Sequence, residues 1–185
     1  MNRLQLEHII RAAGDIAGDD DIVILGSTAV LSQFPDFPEK IIRSIEADIY
    51  PRNKPDLASV IDGCIGELSP FHNTYGYYAH GVGPETARNL PGGWEKRLIP
   101  ISNENTRGIT GWGVEIHDLI LGKYVSSREK DLGFNAQVIA LGLVSQERLL
   151  ERVGCLEVPD AIKDQIRLKI KADFPNSQTP LHPSI

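Results

Sequence analysis

Ile22-Val-Ile-Leu-Gly-Ser-Thr28 and Ile45-Glu-Ala-Asp-Ile-Tyr50 are the two stretches that decide the fold. The first is a continuous apolar, mostly β-branched run of the kind found in a central strand, stopping at a Gly-Ser pair. Gly26 lets the backbone turn tightly, and Ser27 is placed to cap a helix running through Thr28, Ala29, Val30 and Leu31. The second is a short strand closed by Pro51. Its Glu46 and Asp48 are two residues apart and point to one face, with Cα atoms roughly 6.5–7 Å apart. A strand-Gly-Ser-helix turn offers free N–H groups to an anion, and paired carboxylates suit a hard divalent ion. Together they point to nucleotide chemistry. Taken singly, each is also an ordinary capped turn or a half-exposed strand.

The 185 residues suffice for one substantial core, or for a compact domain with a smaller appended one. Hydrophobic and charged contents of 41% and 24% are those of a globular protein. No apolar run approaches the roughly 20 residues a membrane span needs, and Met1 to His8 shows no secretory h-region. Cys64 and Cys155 have apolar neighbours and read as buried reduced thiols, so a cytoplasmic protein without a membrane partner is expected. A net charge of −6 argues against a general nucleic-acid binder. The charge is uneven: residues 1–118 are acidic and residues 119–172 slightly basic, which permits a polyanionic substrate.

Outward from the opening pair, residues 3–17 place Leu4, Leu6, Ile9, Ile10, Ala13 and Ile16 at helical spacing, with Gly18 ending the helix. Asp19-Asp20-Asp21 reads as a solvated turn before the strand. Leu57 to Ile65 is another helix, with Pro55 near its start. Tyr75 to Val82 and Trp94 to Ile101 read as strands, and Gly108 to Gly113 as a glycine-rich connection matching no dinucleotide or P-loop fingerprint. Helices follow over 114–125 and 134–153, and a last one after Pro159 carries Ile162, Ile166 and Ile170 on one face. The expectation is an α/β (α+β) fold in which a small mixed sheet is flanked by helices over residues 1–115. A C-terminal helical section over 116–174 and a disordered tail over 175–185 complete it.

A third group of candidates is Glu115-Ile-His-Asp118, Lys123 and Arg128-Glu-Lys-Asp131. Cations beside a triphosphate neutralise charge on the phosphates and on the leaving pyrophosphate, although isolated charges on helices are also ordinary solvated surface. Asp131 is equally readable as a structural partner of Arg128 or Lys130. Five histidines form no zinc spacing with each other or with the cysteines, and no activated serine or cysteine motif suggests a hydrolase. Tyr75, Tyr77 and Tyr78 read as cross-strand packing rather than base-stacking groups.

Gly26-Ser27, then Arg43-Ser44-x-Glu46-x-Asp48, then Asp118-x4-Lys123-x4-Arg128-x-Lys130-Asp131, resembles the polymerase-β-like nucleotidyltransferase superfamily, nearest its AbiEii-type toxin and abortive-infection branch. The likeness spans about residues 22–135. It implies an Mg²⁺-dependent transfer of an NMP from an NTP to an RNA (tRNA) or protein acceptor, as a toxin or phage-defence component with a cognate antitoxin. By this resemblance Gly26 and Ser27 hold NTP phosphates, with Arg43, Ser44 and Lys130 as further nucleotide contacts. Glu46 and Asp48 bind Mg²⁺, and Lys123, Arg128 and Asp131 match the basic helical motif. Two departures stand out: the first metal carboxylate is Glu rather than Asp, and eighteen residues separate Ser27 from Glu46. The third acidic residue is left open between Glu115 and Asp118, with Glu95 behind them. The alternative is therefore a catalytically degenerate nucleotidyltransferase fold that binds a nucleotide or a partner.

Overall fold

The computed structural model describes residues 1–174, so the tail expected from Pro175 lies outside the described residues. A five-stranded mixed sheet runs β3 (Tyr78–Gly81), β2 (Glu46–Pro51), β1 (Asp21–Ile24), β5 (Thr110–Gly113), β4 (Ile99–Ile101) in spatial order. β1 is antiparallel to β2 and parallel to β5, β2 is parallel to β3, and β4 is antiparallel to β5. Ile22, Ile24, Ala47 and Ile49 point to the face covered by α1 (Arg3–Ala17) and α4 (Ala58–Ile65), where Ile10 reaches Ile24. Period-two alternation sends Glu46 and Asp48 to the opposite face. The β2–β3 register then sets Tyr78 beside Glu46 and His80 beside Asp48.

α1 starts on an Asn2–Gln5 capping box and ends on Gly18 in the left-handed conformation, burying Leu6, Ile9, Ile10 and Ala13. Leu4 falls outside that stripe and is 68% exposed. After a 3₁₀ turn at Ser27–Ala29 come α2 (Val30–Gln33) and α3 (Glu39–Ile42). The later helices are α5 (Pro70–Tyr75), α6 (Ile116–Ser126), α7 (Glu129–Ala140), α8 (Gln146–Val153) and α9 (Asp160–Asp173). A single hydrophobic cluster runs from Leu6 on α1 through the sheet to Ile170 on α9. No helix among the described residues is long and apolar enough to cross a membrane.

Several sequence expectations are corrected here. Tyr75 ends helix α5 rather than opening a strand, because Ser69 caps that helix, Pro70 starts it and Gly76 (φ 76°) stops it. Trp94–Arg97 is a 3₁₀ turn, and only Ile99–Ile101 is a strand. The glycine-rich connection is strand β5. A Cβ at Gly111 would overlap Ile10, and one at Gly113 would overlap Ser32, so the glycines mark close packing instead of a loop. The helix expected over 134–153 splits at Gly142 (φ 68°), with Ser145 capping α8. Asp19 is buried, accepting from the Asp21 N–H and from the Asn53 backbone and side chain. Its carboxyl stays below the ordinary range because these hydrogen bonds outweigh burial. Cys64 and Cys155 are free as expected, but exposed rather than buried.

Candidate active site

The turn after β1 lies against β2. Leu25 N–H donates to Asp48 O at 2.8 Å, and Gly26 follows with φ 63° and ψ −168°, a region open essentially to glycine. Glycine is required there for a second reason, since a Cβ at position 26 would overlap Asp48 Oδ2. Ser27 opens the 3₁₀ turn as its first residue and Gly26 is the N-cap, contrary to the Ser27 cap expected from the sequence. On the approach to β2, Arg43 closes α3 in the left-handed conformation (φ 53°). The Ser44 hydroxyl donates to Glu46 O at 2.9 Å and accepts from Glu46 N–H at 3.1 Å, fixing the first carboxylate strand residue.

Glu46 Oε2 accepts from the Tyr78 hydroxyl at 2.9 Å, and Asp48 Oδ1 meets His80 Nδ1 at 2.9 Å. Burial and the Glu46 bond push the Tyr78 phenol up to about 12, so it remains a neutral donor. Desolvation acts to lower the His80 imidazole, but the Asp48 bond and charge, with Glu46 and Asp62, raise it overall. Glu46 Oε1 and Asp48 Oδ2 make no hydrogen bond among the described residues. Two carboxylates with one free oxygen each are the hard donors that could hold a divalent ion such as Mg²⁺, with its other ligands supplied from outside the chain. Among the described residues no group of three or more His, Cys, Asp and Glu is arranged to hold a metal ion.

The cationic wall comes from the α6–α7 corner. Lys123 Nζ donates to Asp131 Oδ1 at 2.9 Å, and Arg128 Nε donates to Asp131 Oδ2 at 2.6 Å. The Asp131 side chain is 1% exposed, and the two cations hold its carboxyl below the ordinary range against the effect of burial. Burial lowers the Lys123 ammonium even though Asp131 opposes the shift, and Nζ also lies 4.7 Å from the centre of the Phe134 ring. Among the described residues Arg128 is bound only through Nε, on a side chain that is 62% exposed.

All ten residues expected on the carboxylate, turn and basic motifs line one cleft of about 760 Å³: Gly26, Ser27, Arg43, Ser44, Glu46, Asp48, Lys123, Arg128, Lys130 and Asp131. A chamber of about 130 Å³ adjoins it, sharing Gly26, Asp48, Lys123, Arg128 and Asp131 and adding Thr86, Asn89 and Ser126. The structure does not bring the candidate third carboxylates there. Glu115 caps α6 and accepts from His117 and Arg152, while the fully buried Asp118 pairs with Arg97 and Arg152. Burial works to raise the Glu115 carboxyl, but His117 and Arg152 bring it down to about 2. This network fastens α6 to α8, with His117 Nε2 accepting from Ser145 N–H. Glu95 is exposed on the Trp94–Arg97 turn, outside the cleft.

Sequence reasoning missed Tyr78, His80, Phe134 and Gln137 as cleft or carboxylate-contacting residues. One signal was available, because Tyr78-x-His80 repeats the period of Glu46-x-Asp48 and so presents two polar groups on one face of a neighbouring strand. No curated protein and no solved structure gives a significant match. A family model described as "Nucleotidyltransferase of unknown function (DUF6036)" matches residues 4–161, a span that takes in the sheet, both carboxylates and the whole basic corner, and the chain belongs to that family.

Proposed function

We propose that the protein is an Mg²⁺-dependent nucleotidyltransferase that moves an NMP from an NTP to a hydroxyl on an RNA, such as tRNA, or on a protein. The observation that carries this reading is the meeting of two half-free carboxylates, Glu46 and Asp48, with the Lys123–Asp131–Arg128 cluster across one cleft. In such a transfer an acceptor oxygen bonds to the α-phosphorus and the bond to pyrophosphate breaks. The protein's part is positioning and charge neutralisation. Glu46 and Asp48 would hold Mg²⁺, which would supply Lewis-acid neutralisation of the phosphates. Arg128, anchored by Nε, directs its free nitrogens at the departing pyrophosphate. Lys123 is held in one place by Asp131, and Gly26–Ser27 and Lys130 line the same phosphate path. Ser44 locks the backbone of Glu46, and Tyr78 and His80 each occupy one carboxylate oxygen of Glu46 and Asp48, which would leave the other oxygen of each for Mg²⁺. The side chamber beside Asp48 is the entrance for the acceptor hydroxyl.

Labelled NTP incubated with Mg²⁺ and total RNA or lysate tests the proposal. Asp48→Ala should abolish labelling while the thermal melt is retained, and undiminished labelling in that variant refutes the assignment. The AbiEii-like branch, with a toxin or phage-defence role and a cognate antitoxin, is the narrower version of this reading, supported by the order of the motifs. The labelled acceptor identifies it.

A second reading, a degenerate fold that binds nucleotide or partner without turnover, is favoured by one observation: Glu115 and Asp118 are committed to arginines away from the cleft, so neither joins Glu46 and Asp48 as a third carboxylate. Calorimetry separates the readings. NTP binding indifferent to Mg²⁺ with no pyrophosphate release supports the binding module, and Mg²⁺-dependent release excludes it.

A further inference from the structure

We infer that the outer end of the cleft is a nucleobase subsite that takes adenine, with Gln137 as the residue that reads it, an assignment resting on the nucleotide reading of the cleft. α7 runs along the cleft from its charged end. Asp131, Phe134 and Gln137 follow at three-residue steps and line it in turn. Six residues of helix advance roughly 9 Å, the scale that separates a nucleotide's phosphates from its base. Polarity changes along that distance from the Lys123–Asp131–Arg128 cluster, past the Phe134 ring, to the Gln137 amide.

Ile41, Ile42 and Ile45 give the same cleft an apolar share of its lining. Ile41 and Ile42 are buried, but Ile45 is 49% exposed immediately before the carboxylate Glu46. A flat base lying between Ile45 and the α7 side removes that surface from water.

The amide supplies the choice of base. Gln137 Nε2 lies 3.3 Å from Gly133 O, and a carbonyl only accepts, so the NH₂ group must be the atom pointing at it. Oε1 is left free as an acceptor. Adenine presents an exocyclic amino group to it, whereas guanine and uracil place carbonyl oxygens at the corresponding edge and meet it with repulsion. Cytosine has the amino group on a smaller ring that covers less of the Ile45 wall.

Calorimetry in Mg²⁺ with non-hydrolysable analogues of the four NTPs, alongside transfer assays with the NTPs themselves, tests this on the full chain. ATP is expected to bind roughly tenfold more tightly than GTP or UTP, with CTP between. Gln137→Leu should weaken ATP about fivefold and, by removing the oxygen that repels their carbonyls, leave GTP and UTP bound at least as tightly as before, closing the gap. Gln137→Glu retains the acceptor oxygen and should retain the order of ATP over GTP and UTP. A base order that Gln137→Leu leaves intact, or a wild-type preference for GTP, UTP or CTP, overturns the subsite but not the nucleotide reading. Failure to bind any of the four overturns both.

Discussion

Asp131→Ala breaks the link between the cleft's charges and the stability of the fold. The carboxylate it removes is almost fully buried and holds two cations that differ in exposure: the Lys123 side chain is 11% exposed, whereas the Arg128 side chain is 62% exposed. Arg128 therefore rehydrates, and the penalty falls on Lys123. Removing one partner of a buried pair costs about 3–5 kcal/mol. An upper limit comes from proton release: an amine with an ordinary value of 10.5 goes neutral at pH 7 for about 5 kcal/mol. The Phe134 ring 4.7 Å away retains about 1–2 kcal/mol of favourable contact with whatever charge persists. The expected loss is about 3 kcal/mol, read as a shift in the urea midpoint at constant slope.

A double variant and a pH series probe the same ion pair. In Lys123→Met/Asp131→Leu both charges are gone and the stem is replaced by an apolar chain. Stability should return to within about 1 kcal/mol of wild type, a strongly non-additive cycle. In Asp131→Ala alone, the Lys123 value drops further in the folded state than the burial-lowered value it already has. Between the folded and unfolded values the unfolded chain binds more protons, so the variant should regain stability as pH rises from 7 toward 10.5. A loss below about 1 kcal/mol in the single variant, or a double variant no better than the sum of the singles, would show that Lys123 is not held charged by Asp131. NTP transfer should be lost in both variants, including the stable one.

Gly26→Ala meets both a forbidden backbone region and the Asp48 carboxylate; it should lower stability by about 1–3 kcal/mol and abolish Mg²⁺-dependent NTP binding in calorimetry. Tyr78→Phe frees Glu46 Oε2 and should raise the Mg²⁺ concentration needed for half-maximal transfer, at a stability loss of about 1 kcal/mol or less. Glu115 has a folded value of about 2 against 4.5, so its contribution, on the order of 3 kcal/mol, is complete above pH 4.5 and lost as pH falls toward 2. Glu115→Gln should flatten urea stability measured across that window, and an unchanged acid limb would assign the limb to other carboxylates.

What the sequence displayed and what it concealed differ by the range of the interaction. The apolar run Ile22–Leu25 and the alternation Glu46-x-Asp48 are local signals, and strands β1 and β2 stand where those signals place them. β5 was hidden because its residues were chosen by distant partners: Gly111 accommodates Ile10, about a hundred positions earlier, and Gly113 accommodates Ser32. The same limit governs the acidic candidates. Glu115 and Asp118 look like free carboxylates in a helix, and only the approach of Arg97 and Arg152 from other segments commits them to structure. Asp19 behaves likewise, its solvated appearance reversed by Asn53. The grouping of the carboxylates with the basic residues was legible because the motif order matched a known pattern. The role of Gln137 was not, because it depends on which side of α7 faces Ile45.

The basic corner also shows why residue identity underdetermines a site. Lys123 and Arg128 are five residues apart, so on one continuous helix they would sit about 140° from each other and could not share a carboxylate. The chain breaks between them instead. Ser127 adopts the left-handed conformation at φ 52°, its hydroxyl accepted by Tyr124 O at 2.6 Å, and Arg128 begins α7 as its N-cap residue. That single reversal lets Asp131 receive Lys123 from the end of α6 and Arg128 from the start of α7. It also aims α7 along the cleft, so that Phe134 and Gln137 line it beyond the charges. A left-handed serine is an unfavourable backbone state, stabilised here by its own hydroxyl and by the ion cluster on either side. Ser127→Gly relieves the backbone and removes the hydroxyl bond. If the cluster fixes the corner, stability and NTP binding should both stay near wild type. A large loss of binding with stability intact would mean that the hydroxyl bond, rather than Asp131, sets the angle between the two helices.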